Sequence, residues 1–298
     1  MNENFPTGSI VAMVTPMADD QRVDEPSWTR LLEWQLDSGS DGIVVAGTTG
    51  ESATLDDFER DLLLESALET ANGRCAVIAG TGSASTAVAI AQSRRAAALG
   101  AQWVLVVTPY YNRPPQRGLE MHYRAIADAC PVPLILYNVP SRTAVDLQVE
   151  TALRLAEHPN IVAVKEALPD MQRVRSYADA GLAVLSGDDP SALEAIRHGA
   201  RGVISVAANI APIRFGQMCR SALSAQEDER AGRLNAELEP LYRFLALDSN
   251  PIPAKWLLLA MGRIKAGIRL PLVPLSNNLH PAGRELIDSL DLKTLDRN

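Results

Sequence analysis

Eight short runs of apolar, often β-branched residues recur along the chain: SIVAMV at 9–14, GIVVA at 42–46, AVIAG at 76–80, WVLVV at 103–107, LILY at 134–137, IVAVK at 161–165, LAVLS at 182–186 and GVISV at 202–206. Runs this short and this apolar read as strands buried on both faces. Between them, WTRLLEWQL (28–36), FERDLLLESAL (58–68), TAVAIAQSRRAAALG (86–100) and HYRAIADAC (122–130) repeat apolar positions every three and four residues, as amphipathic helices require. Gly39, Gly73 and Gly100 fall where those helices are expected to stop. Strands spaced by crossover-length segments pair in parallel, and eight such units predict an α/β fold, a closed (β/α)8 TIM barrel. The strand rhythm ceases near residue 211, where IRFGQMCRSALSAQEDERAGRLNAELEPLYRFLAL and PAKWLLLAMGRI read as helices. The expected division is therefore a barrel over 1–210 and a C-terminal helical region over 211–298, packed on the barrel rather than independent.

A chain of 298 residues is long enough for two average domains, but a barrel of about 250 residues is a single one. The doubly wound alternative lacks its fingerprint: GTGSAST at 80–86 has no third glycine in place and reads as a tight turn opening a helix, and no GxxxxGK occurs. A formal charge of -8 argues against a broad basic surface for nucleic acid or anionic lipid, leaving a small molecule as the expected partner. The opening MNENFPTGSIVAMVTPM has no basic n-region, Thr15 and Pro16 interrupt its apolar run, and no run reaches the ~20 residues of a membrane span, which predicts a cytoplasmic location. Cys75, Cys130 and Cys219 are too few and too scattered for a disulfide framework and read as small hydrophobes. His122, His158, His198 and His280 form neither HExxH nor a close pair, so no metal is expected.

One residue stands out by rarity. Of 28 basic side chains, 24 are arginine and four are lysine: Lys165, Lys255, Lys265 and Lys293. Lys165 ends the strand IVAVK, where alternation can aim its amine into the C-terminal mouth of the barrel, and arginine cannot replace an amine as nucleophile. A neutral amine there can form a Schiff base with a ketone; the alternatives are an interior ion pair, with Glu166 or another carboxylate, or anion binding. Tyr137 ends the preceding strand and is either a proton shuttle or a core side chain whose hydroxyl finds a partner. Thr48 and Thr49 in GTTGES offer hydroxyls at the same rim, for carboxylate binding or proton relay, or cap the next helix, as Thr54 and Asp57 in TLDD also could. In TPYYN, one of Tyr110 and Tyr111 can pack while the other acts, and Asn112 and Arg113 are weaker candidates. Arg142 in NVPSRT can grip a carboxylate through two parallel hydrogen bonds or form a surface salt bridge. Gly202 and Ile204 could present backbone and apolar surface to the barrel centre, or simply pack. Asp188 and Asp189 in GDDP begin a helix and read as caps rather than as a two-carboxylate or divalent-metal site.

Taken in order, TGSIVAMVTPM, GTTGESATL, VIAGTGS, VTPYYNRP, ILYNVPSRT, VAVKEA, LSGDDPSAL, GVISVAAN and NPIPAKW resemble the dihydrodipicolinate (4-hydroxy-tetrahydrodipicolinate) synthase family of pyruvate-dependent class I aldolases, over nearly the whole chain. The resemblance implies a (β/α)8 barrel followed by helices, assembled as a homotetramer, a dimer of dimers. It implies that Lys165 forms a Schiff base with pyruvate, that Tyr137 transfers protons, and that Thr48 links it to Tyr111 from a neighbouring subunit. Thr49 and the Ile204 backbone would hold pyruvate, and Arg142 the carboxylate of the incoming aldehyde, L-aspartate 4-semialdehyde. The implied product is (4S)-4-hydroxy-2,3,4,5-tetrahydrodipicolinate, on the route to diaminopimelate and lysine, with no external cofactor because the lysine is a transient covalent catalyst.

Related lyases acting on sugar-derived 2-keto acids share the Schiff-base lysine and are the enzymatic alternative; the intact GTTGE and SRT segments resemble the synthase subgroup. A ligand-binding barrel without activity is the non-enzyme alternative. Lysine-inhibited bacterial relatives tend to carry histidines after GTTGESATL, and an asparagine and a glutamate after GTG. This chain has Asp57 and Arg60, and Ala84 and Val88, at those places, while Tyr110 is retained. Val88 offers no charge to a ligand ammonium, so weak or absent lysine inhibition is expected.

Overall fold

The computed structural model describes residues 5–292, so Lys293 lies outside the described residues. Its strands are β1 (Gly8–Ala12), β2 (Gly42–Val45), β3 (Ala76–Gly80), β4 (Trp103–Val107), β5 (Leu134–Asn138), β6 (Ile161–Glu166), β7 (Ala183–Ser186) and β8 (Gly202–Ser205). They pair in parallel in chain order, and β8 returns to β1 through Gly8↔Gly202 and Ile10↔Ile204, closing the barrel. All eight expected strands are present, with ends within two residues of those read from the sequence.

Alternation along each strand sorts its side chains into two layers. Ile10, Val44, Ile78, Leu105, Ile135, Leu185 and Ile204 fill the barrel, while Val11, Ile43, Val77, Val104, Leu136, Val184 and Val203 belong to the shell between strands and helices. That shell is completed by α1 (Glu25–Asp37), α2 (Asp57–Ala71), α3 (Thr86–Leu99), α4 (Gln116–Ala129), the single turn α5 (Pro140–Thr143), α6 (Val149–Ala156), α7 (Met171–Asp179), α8 (Ala192–Arg197) and α9 (Pro212–Leu223). The last of these packs against β1, α8 and the long α10 (Asp228–Leu245), and α11 (Ile252–Ala260) and α12 (His280–Ser289) follow. Among the described residues no helix is long and apolar enough to cross a membrane.

The start of α2 differs from the reading of TLDD. Asp56, not Thr54 or Asp57, is the cap: it accepts from the Glu59 amide at 2.8 Å, while Glu59 accepts from the Asp56 amide at 3.1 Å. This reciprocal pair satisfies two end donors of the helix, so neither Thr48 nor Thr49 is needed as a cap. The GTG segment is, as expected, a turn into a helix: Ser85 caps α3, and a Cβ on Gly80 or Gly82 would lie 2.3 or 2.4 Å from backbone atoms of Ala46 or Val107.

Candidate active site

The C-terminal ends of the strands surround a cavity of about 220 Å³. Lys165 reaches into it from β6 and is 6% exposed. Tyr137 stands beside it because the register pairs Tyr137 with Lys165, and the amine lies 4.2 Å from the phenol ring centre. The ion pair considered for Lys165 and Glu166 is not formed. Neighbours in a strand point to opposite faces, and Glu166 is buried outside the barrel, where Arg173 Nε donates to it at 3.1 Å and Asn138 Nδ2 at 3.1 Å. Among the described residues no carboxylate pairs with Lys165. Burial raises the Glu166 carboxyl above its ordinary value against those hydrogen bonds.

The GTTGES loop supplies the wall opposite. Ala46 and Glu51 adopt positive φ, 52° and 55°, bending the loop sharply, and Gly50 sits close enough that a Cβ would lie 3.1 Å from the Met13 carbonyl oxygen. Thr48 and Thr49 line the cavity, and Thr49 Oγ1 accepts from Asn250 Nδ2 at 3.0 Å. Glu51 turns away from the cavity into a buried ion pair with Lys255 and also accepts from the Arg269 amide at 3.1 Å. Burial pulls the Lys255 ammonium below its ordinary value, and the Glu51 charge opposes that shift. Lys255 and Arg269 thus hold the loop beside the cavity from outside the barrel.

Arg142 lies on α5 at the mouth, exposed and lining the cavity, and no described carboxylate pairs with it. Ile204 lines the floor from β8. Gly202 does not: it is pressed against β1, where a Cβ would lie 2.4 Å from the Gly8 carbonyl oxygen, so its role is strand approach. Asp188 does accept from the Ser191 amide at 3.1 Å before α8, and it also lines the cavity. Asp189 is no helix cap; it accepts from the Val206 and Ala207 amides at 3.0 and 2.8 Å, holding the loop after β8, and burial pushes its carboxyl up to about 6. Tyr110 is half-exposed, and Tyr111, at φ 71°, is 92% exposed and outside the cavity lining. Asn112 donates to the Ala84 carbonyl at 2.9 Å, and Arg113 has φ 49°.

A model of the dihydrodipicolinate synthetase family matches residues 5–290. The chain belongs to that family. It is 50% identical to the 4-hydroxy-tetrahydrodipicolinate synthase of Alcanivorax borkumensis over 281 residues, 93% of this chain and 95% of the relative. It superposes at a TM-score of 0.94, with 47% identity, on the chloride-inhibited dihydrodipicolinate synthase of Acinetobacter baumannii complexed with pyruvate, covering 96% of this chain and 99% of that one. DHDPS from Cyanidioschyzon merolae with lysine bound is 37% identical at a TM-score of 0.93, covering 97% and 99%.

Of the family positions expected from the sequence, Lys165, Tyr137, Thr48, Thr49, Arg142 and Ile204 share one cavity. Two further neighbours carry no signal of this role in the sequence. Gly187 carries no local signal beside the more conspicuous aspartates, yet a Cβ there would meet Lys165 Cε at 2.8 Å. Asn250 precedes Pro251 in NPIPAKW, 201 positions after the Thr49 it holds, with no local pattern to connect the two. The described residues contain no group of three or more His, Cys, Asp or Glu side chains arranged to hold a metal ion.

Proposed function

We propose that the chain condenses pyruvate with L-aspartate 4-semialdehyde to give (4S)-4-hydroxy-2,3,4,5-tetrahydrodipicolinate, the committed step toward diaminopimelate and lysine. The observation that carries this reading is a buried lysine amine, unpaired with any described carboxylate, held against a tyrosine in the cavity at the strand ends of a family member. Lys165 adds to the pyruvate ketone and water leaves, giving an iminium that withdraws electrons from the methyl carbon. Loss of a methyl proton yields the enamine, whose carbon attacks the aldehyde. The substrate amine then displaces Lys165 and closes the ring. Tyr137 carries protons in these steps, relayed through Thr48 to Tyr111 of a second copy, and Thr49 with the Ile204 backbone holds the pyruvate carboxylate.

Arg142, at the mouth, takes the carboxylate of the aldehyde. A cavity of about 220 Å³ is smaller than the roughly 300–1,000 Å³ that accommodates larger ligands, which favours a short acidic aldehyde over a polyhydroxylated sugar acid. The exposure of Tyr111 supports dimers whose chains complete one another's sites; the same reading has these dimers pair as a homotetramer in the cytoplasm. The same reading keeps 1–210 as the barrel and 211–298 as the helical region packed on it.

Product formation followed through an added pathway reductase and NADPH consumption tests the activity, with each substrate omitted in turn. Folded Lys165→Met protein is expected to show none, and full activity in that variant would end the Schiff-base reading. Folded, pyruvate-binding protein that turns over only sugar-derived aldehydes would move the assignment to the related lyases. Lysine inhibition is expected to be weak or absent, since Val88 is exposed and offers no charge to a ligand ammonium; strong inhibition in a titration with free lysine would contradict this.

A further inference from the structure

Behind the cavity, on the far side of β5 and β6, five polar side chains form a closed network. Asn138 and Glu166 follow Tyr137 and Lys165 and point outward where those two point inward. Arg173 of α7, its side chain 13% exposed, joins Glu166 to Asp146: its Nε donates to Glu166 Oε2 at 3.1 Å, and its Nη1 and Nη2 donate to the two oxygens of Asp146 at 3.0 Å each. Asn138 donates to Asp146 at 2.8 Å and accepts from the Leu147 amide at 2.9 Å, and Tyr177 donates to Glu166 at 3.5 Å.

Asp146 and Leu147 are the residues by which the chain leaves α5. That element is one turn, Pro140–Thr143, ending at Ala144 with φ 58°, and is too short to fix its own direction. Its ends are tied instead. Thr143 donates to the Val139 and Val145 carbonyls at 3.2 and 3.0 Å, and Asp146 is forked to Arg173. A bidentate arginine–carboxylate pair fixes angle as well as distance.

We propose that Arg173 is a positioning residue for the second-substrate half of the site, holding α5 and its Arg142, through Asp146, at a set distance from the strand that carries Lys165. This rests on the reading of Arg142 as the aldehyde-carboxylate group. A displacement of about 1 Å at such a group can cost on the order of a hundredfold, so loosening the fork is a kinetic change even in a folded protein.

The test is a cycle of Asp146→Asn, Arg142→Ala and their combination in the full chain, with Arg173→Lys as a second probe that keeps charge and loses the fork. Asp146→Asn is expected to raise KM for L-aspartate 4-semialdehyde about tenfold, leaving KM for pyruvate and borohydride trapping of the pyruvate imine within about twofold. In the Arg142→Ala background the same change should have under about twofold effect, because its route is already gone. Equal effects in both backgrounds, or a rise in pyruvate KM in step with that for the aldehyde, would overturn the proposal. Arg142→Ala with an unaltered aldehyde KM would instead remove the reading beneath it, and is visible in that single variant. Should Arg173→Lys fail to fold, the Asp146 cycle decides alone, since that side chain is 40% exposed.

Discussion

Lys165 owes its freedom to a side chain that is missing. Gly187 has no positive φ to explain it; what it supplies is room, since a Cβ would lie 2.8 Å from Lys165 Cε and 3.1 Å from Ala167 Cβ. The nearer atom is the flexible end of a lysine, so Gly187→Ala should fold and displace the amine. Trapping of the pyruvate imine is expected to slow by about a hundredfold, and a time course of borohydride-dependent adduct formation checks it. An unchanged rate would mean that the lysine tolerates the shift. Lys165 itself was legible in the sequence because the chain uses lysine so sparingly and because strand parity gives a direction. Gly187 was not, because a glycine's reason lies in its spatial neighbour.

At the scale of elements, α3 and α4 meet through a histidine. His122 is buried, its Nδ1 is 2.9 Å from Thr86 Oγ1, its Nε2 has no partner among the described residues, and burial pushes its pKa down to about 4. The unfolded chain takes up a proton near pH 6.5 that the folded one refuses until about 4. The sign follows: this contribution is complete above pH 6.5 and is lost as pH falls through that window, about 3 kcal/mol at its limit. Urea unfolding of wild type and His122→Gln at pH 7.5 and 4.5 should show the smaller acid loss in the variant; equal losses would place the acid sensitivity elsewhere. Element type was readable wherever a period had length to repeat. The strands and α1–α4 declare themselves, whereas α5 to α8 span four to nine residues and barely complete a repeat. The α2 start was misread by one or two residues because TLDD offers several capping residues in a row.

For the whole molecule, Tyr111 stands 92% exposed at the rim, which suits a side chain that serves another copy. Refolding a mixture of Tyr111→Phe and Lys165→Met chains, each nearly inactive alone, should restore about a quarter of the wild-type sites if the tyrosine acts across a two-fold dimer. No recovery would return it to its own subunit. What local pattern could not reveal is the joining of distant segments: Asn250 to Thr49, Lys255 to Glu51, and Arg269 to Glu59. The Lys255–Glu51 contact spans 204 positions, and it sets an order of events on the ribosome. At about 5–20 residues per second, the nascent GTTGES loop emerges on the order of ten seconds or more before its cation. Burying Glu51 without that cation leaves a bare charge in the interior, worth about 3–5 kcal/mol against the closed form. A growing chain therefore has no reason to settle its GTTGES loop early. The loop is settled only once the chain has grown past residue 255.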